Sequence, residues 1–138
     1  MRPKTEPSSP QKVEVSYDAA RRVVIAHPRW TLTTAADVQA WLQDWKDALK
    51  PYPPKSDIVV ILDDFHVRGE AFTAWGEARA ELTKNYFGVS FRVNIEPLVR
   101  AAALTSGVLY NSVTAEAPTV EAAIEGILAA RTRAADST

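Results

Sequence analysis

The sequence predicts an α/β domain built on a mixed, mostly parallel five-stranded sheet with four helices, in the order β-β-α-β-α-β-α-β-α. Three observations carry that expectation. Ile58-Val-Val-Ile-Leu62 is an unbroken apolar run that ends in two carboxylates, the pattern of a strand buried on both faces. Long segments beginning near Thr34 and Glu70 place their apolar residues at helical spacing. Strand and helix patterns then alternate to the end of the chain, and each β-α-β step implies parallel neighbours joined by a right-handed crossover.

The elements follow in order. Residues 1–11 carry Pro3, Pro7, Ser8, Ser9 and Pro10 without an apolar stretch, which reads as a disordered arm. Val13 to Tyr17 alternates apolar and polar like an edge strand, and Arg22 to Ala26 is a second strand, hairpin-paired with the first across Asp18 to Arg21. Pro28 is expected to end it. Thr34 can cap the first helix with Asp37 as its capping-box partner, and Val38, Trp41, Leu42, Trp45, Ala48 and Leu49 form one apolar stripe. Pro51, Pro53 and Pro54 stop that helix.

After the buried strand, a helix from Glu70 to Tyr86 sets Phe72, Trp75, Ala78 and Leu82 on one side, and Gly88 breaks it. Val89 to Val93 alternates as a strand. Pro97 opens a third helix running through Val108, Val113 to Ala117 is a short strand, and Thr119 caps a last helix. The ordered domain spans residues 12–131, followed by a polar tail over 132–138.

The chain has 138 residues, 46% apolar and 24% charged, with sixteen basic side chains against seventeen acidic ones. That is an ordinary balance for one domain. No basic stripe interleaved with aromatics points to nucleic acid. The absence of cysteine excludes disulfides and thiolate chemistry and fits a cytoplasmic setting. No apolar run approaches the ~18 residues of a membrane span.

The segment beyond the buried strand, Asp63-Asp-Phe-His-Val-Arg-Gly-Glu70, draws attention because sites in open α/β sheets gather at the carboxyl ends of strands. Adjacent residues of a strand point to opposite faces, so Asp63 and Asp64 do not form a converging acid/base pair; one is expected to cap the following loop or helix and the other to be solvated. A triad of Asp63, His66 and Thr73 lacks a strained nucleophile elbow, since Thr73 lies within a helix. His27 and His66 are the only histidines, without metal-ligand spacing, and Gly69 stands alone rather than in a phosphate loop. Neither a catalytic group, a metal nor a cofactor is expected. Trp30, beside Arg29, is either an exposed anchor or a staple on the first helix. Phe65 is a candidate exposed aromatic, Arg68 and Arg79 read as surface charges, and Trp41, Trp45 and Trp75 as core.

Three stretches resemble the STAS domain family, the sulfate-transporter and anti-sigma-factor-antagonist fold. Arg29-Trp-Thr-Leu-Thr-Thr-Ala-Ala-Asp-Val38 is similar to that family's loop into its first helix. The Ile58 run is similar to its buried strand ending in Leu-Asp-Leu. Val99 to Val108 followed by Pro118-Thr-Val-Glu-Ala-Ala-Ile124 is similar to its late helix ending in Leu-x-x-x-Gly and its last helix start.

The resemblance implies a non-catalytic module of a bacterial signalling or assembly system that docks a protein, such as a kinase-like or anti-sigma-type regulator. It also implies a phosphorylatable hydroxyl at the start of the second helix. Here Gly69, Glu70 and Ala71 stand in that region, and Thr31 stands where an aspartate is usual in the first loop, while Asp63 matches the strand-end acid. The expectation is therefore a docking surface of Asp63, Asp64, Phe65, His66, Arg68, Glu70, Arg29, Trp30 and Thr31, not switched by phosphate, with Glu70 as a candidate fixed charge. A homo-oligomer is left open. So is a small hydrophobic, lipid-like ligand under the second and third helices.

Overall fold

The computed structural model describes residues 11–94 and 115–136. The proline-rich arm over 1–10, the third helix expected from Pro97 to Val108, and the start of the strand expected from Val113 lie outside the described residues.

The first hairpin pairs β1 (Lys12–Asp18) antiparallel to β2 (Val23–Leu32), with Asp18 opposite Val23 and Lys12 opposite Arg29. Its turn is held by Asp18, which accepts from the backbone and the guanidinium of Arg21 at 3.0 and 2.8 Å. In contrast to the expected stop at Pro28, β2 runs four residues past it. The reason is positional. Beyond β1, β2 pairs with β3 (Asp57–Ile61) up to Ala26 and with β4 (Phe65–Val67) from Trp30 onward, so Pro28 falls in the gap between them. A missing N–H breaks no ladder bond there. On the other strand, Val13, opposite Pro28, gives its own N–H to Asp44 Oδ2 at 2.8 Å.

Helix α1 (Ala35–Leu49) starts as its sequence indicates: Thr34 Oγ1 accepts from Asp37 N at 3.1 Å, and Asp37 Oδ2 accepts from the backbone of Thr34 and Thr33. Helix α2 (Ala71–Asn85) ends with Tyr86 and Phe87 N–H both turned back to Leu82 O. Gly88 then packs so tightly against Lys55 O and Asp57 that a Cβ would not fit. β5 (Ser90–Val93) pairs parallel with β3, and β6 (Ala115–Ala117) with β5, before helix α3 (Val120–Asp136) closes the chain. The sheet order is β1-β2-β3-β5-β6, with β4 paired to β2, and among the described strands only β1 runs antiparallel. Three helices are present among the described residues.

Each sheet face buries its own core. Toward α1 and α2, even-numbered β2 residues (Val24, Ala26, Trp30, Leu32) meet Val38, Trp41, Trp45, Trp75 and Leu82. Toward α3, Val23, Val59 and Val93 meet Ala123, Ile124 and Ile127. β3 serves both, with Ile58 and Val60 on one side and Val59 on the other, which is why its sequence is apolar without alternation. Arg131 fastens α3 to the sheet: its guanidinium donates to Asp57 Oδ2 at 2.8 Å and to the carbonyls of Arg21 and Arg22 at 2.6 and 2.9 Å.

Candidate functional site

The site is shaped by one extra residue. From Ala26 to Trp30, β2 advances four positions, while its partners advance five, from Val60 to Phe65. β4 thus continues β3 after a single-residue bulge, and the bulge reverses which residues face the core. Before it, Ile58, Val60 and Leu62 point at α1 and α2; after it, Phe65 and Val67 do. Leu62 N still donates to Val93 O at 2.8 Å, and Arg68 N closes β4 onto Leu32 O at 2.8 Å. Asp63 and Asp64 are expelled into an exposed turn between them.

The two carboxylates diverge. Asp63 Oδ1 accepts from Asn94 Nδ2 at 2.6 Å, on the β5 side. Asp64 Oδ2 accepts from Arg29 Nη1 at 2.7 Å and meets His27 Nε2 at 3.0 Å, on the β2 side. Neither caps α2, and they form no shared acid/base pair. Arg29 Nε also donates to Glu14 Oε1 at 2.9 Å, so the chain Glu14–Arg29–Asp64–His27 crosses from β1 to the bulge. The bond from Arg29 holds the Glu14 carboxyl below its ordinary range, and Glu14 raises Arg29 in turn.

These residues share the sheet face opposite α1 and α2. Thr31, on the same face of β2, lies opposite His66 of β4 and donates its backbone N–H to Gln11 Oε1 at 2.6 Å. Beyond β4, Gly69 takes a left-handed φ of 58° with nothing within 4 Å of where a Cβ would lie, so the backbone conformation, not crowding, favours glycine. Glu70 follows at the N-cap of α2, exposed and making no side-chain cap.

Searches by sequence give no match to a protein-family model and none to a curated protein. A search by structure does. The chain is similar to RsbS of Moorella thermoacetica, solved as a variant with glutamate replacing a serine, at a TM-score of 0.56 and 15% identity. The similarity covers 87% of this chain and 97% of that one, and RsbS is a STAS-domain protein. This chain has a STAS-like fold.

On that STAS-like scaffold the expected surface separates into two groups. Arg29, Thr31, Asp63, Asp64, His66, Arg68 and Glu70 lie toward the carboxyl end of β2 and β4. Trp30 and Phe65 do not belong to an exposed surface. Trp30 is 9% exposed, packs toward α1, and donates Nε1 to Asp44 Oδ2 at 3.0 Å, which makes it the staple rather than the anchor. Phe65 is 1% exposed and sits between Trp41 and Trp75, with ring centroids 5.8 and 6.0 Å away. The bulge turns it inward, and burying such a ring stabilises the loop by about 1.5–3 kcal/mol.

Sequence reasoning missed Glu14, His27 and Asn94. The signal for two of them was present: Glu14, His27 and Arg29 alternate with apolar neighbours across the hairpin, but ending β2 before Pro28 hid the pattern.

Arg79 also departs from its reading as a surface charge. It is 6% exposed beside Arg92, and burial together with that second guanidinium lowers its pKa to about 10. Both arginines border a cavity of about 50 Å³ among Trp41, Trp45, Phe65 and Trp75. Among the described residues, no group of three or more His, Asp or Glu is placed to hold a metal, and no helix is long and apolar enough to cross a membrane.

Proposed function

We propose that this STAS-like domain is a protein-docking module of a cytoplasmic signalling or assembly system, and that it binds its partner through the turn from Asp63 to Glu70 and the adjoining strand end. The observation that carries this reading is the contrast within that turn: exposed Asp63, Asp64, Arg68 and Glu70 stand on a base locked by buried Phe65 and Val67. Such a preorganised charged surface gives a partner specificity and fast association at little ordering cost. Arg29, Thr31 and His66 extend it along the open sheet face, while Trp30 and Phe65 hold it in shape.

The module is not switched by phosphate at the start of α2. No hydroxyl side chain occurs from Asp63 to Phe72, and the first one, Thr73, lies inside the helix. Glu70 instead supplies a permanent negative charge at the helix N-terminus, where the dipole favours an anion.

Co-purification from the native cell tests this. Glu70→Arg combined with Asp64→Arg is expected to lose the partner that wild type retains, with unchanged circular dichroism. Retention of every partner by that variant would remove the surface, and phosphate on Thr73 in mass spectra of native protein would remove the unswitched reading.

A further inference from the structure

A second concave surface lies at the opposite end of the molecule. It is a groove of about 340 Å³ where the end of α1, the connection to β3 and the end of α2 meet. Tyr52, Tyr86 and Phe87 supply its apolar surface; Lys46, Lys50 and Lys55 line it, and no carboxylate does among the described residues. The backbone carbonyl of Lys84 accepts from Lys55 Nζ at 2.9 Å, and three of the chain's six lysines line the groove.

Their present partners do not use them up. Lys46 pairs with Glu81 at 2.9 Å and lies over the Tyr86 ring, and Lys50 reaches Asp47 at 3.3 Å on an exposed surface. An ammonium carries three donors, and each of these contacts engages one.

The opposite pole has the other sign. Asp63, Asp64, Glu70, Glu14 and Asp37 stand at the carboxyl end of the sheet against the cations of Lys12, Arg29 and Arg68. The exposed acidic turn projects from one end, and the lysine-lined groove opens at the other. The ten residues preceding Gln11 are a poor occupant for the groove, because they carry Arg2 and Lys4 against one acid, Glu6.

We infer that the groove receives the Asp63–Glu70 turn of a second copy of this chain, so that copies associate head to tail. The pairing rests on that turn being a docking surface, as proposed above, and adds the identity of one occupant. Because the two complementary patches are different and lie at opposite ends, the contact is heterologous and leaves a free groove and a free turn on every assembly that does not close. Charge attraction between exposed groups is screened within about 8 Å at physiological salt, so the association is weak and salt-sensitive.

Sedimentation velocity of the full chain over a concentration series reads this out. Wild type is expected to form species larger than a dimer at low salt and to revert to monomer at high salt. Lys50→Glu with Lys55→Glu, and separately Asp63→Lys with Glu70→Lys, should each weaken association at least about tenfold. Mixing the two charge-reversed proteins should restore it, since each groove then meets a turn of opposite sign.

A wild type that stays monomeric at low salt overturns the inference whatever the variants do. So does undiminished association of the lysine variant, which would place the contact elsewhere. A monomer whose lysine groove binds polyglutamate would assign the groove to a foreign acidic chain and likewise overturn self-docking. Loss of a native partner by the acidic-turn variant but not by the lysine variant keeps the docking reading separate from this one.

Discussion

The two faces of the sheet are built on different principles. Under α1 and α2, four tryptophans and two phenylalanines interlock, with Trp45 against Phe87 at 5.3 Å and Trp41 bridging to Phe65. Under α3, the core is six small aliphatic residues, the helix lies close enough that Gly126 touches the ring of Phe91, and Arg131 ties it down. One face is held by aromatic area, the other by close approach and a guanidinium brace. The polar residues of the candidate site sit on the second face, at the strand ends beyond the small core. The candidate site therefore lies outside both packed cores, and the residues that anchor its turn, Phe65 and Val67, belong to the aromatic one.

Removing area from the first face should have the largest effect. Trp45→Ala is expected to lower unfolding free energy by about 3–5 kcal/mol in urea denaturation. A loss under about 1 kcal/mol would show that the aromatic cluster is not the main support. Adding volume to the second face comes next. Gly126→Ala drives a methyl into the Phe91 ring and should cost about 1–3 kcal/mol, although alanine is the better helix former. A stabilised variant would mean that α3 has slack, and the contrast between the faces would fall.

The smallest effect is electrostatic. Asp37 is held below the ordinary carboxylate range by the N–H and hydroxyl of Thr33, and Asp18 by the backbone and guanidinium of Arg21. Groups lowered in the folded state stabilise it above their unfolded pKa, and that contribution is lost as pH falls through the folded value. Stability should therefore decline on acidification below about pH 4, and Asp37→Asn should flatten the decline. An Asp37→Asn profile parallel to wild type would show that the cap contributes no pH dependence.

Much of this fold was legible because its signals are local. The capping box at Thr34, the stripe of α1 and the doubly buried β3 each follow from spacing within a dozen residues. What escaped depends on neighbours distant in sequence. Pro28 lies inside a strand because of a gap between β3 and β4 that no local pattern marks. Phe65 looked exposed because two aspartates precede it, yet the extra residue opposite Ala26–Trp30 rotates it into the core. Arg79 looked solvated on an otherwise ordinary helix, but it faces a cleft on the inner side of that helix that it shares with Arg92 of β5. The acids and basic groups of the site could be named from sequence; which of them point together could not, because that orientation is set by the register of β4 against β2.

That register makes the exposed turn sensitive to counting rather than to spelling. Neither Asp63 nor Asp64 is buried, so substitution at either leaves the packing of the core in place. Loss or gain of one residue between Leu62 and Phe65 would instead turn the next three side chains half a rotation about the strand, sending His66 among the tryptophans and Phe65 and Val67 into water. The turn can change its letters without touching the core, but a change of length by one has to be absorbed within it if Phe65 and Val67 are to stay buried.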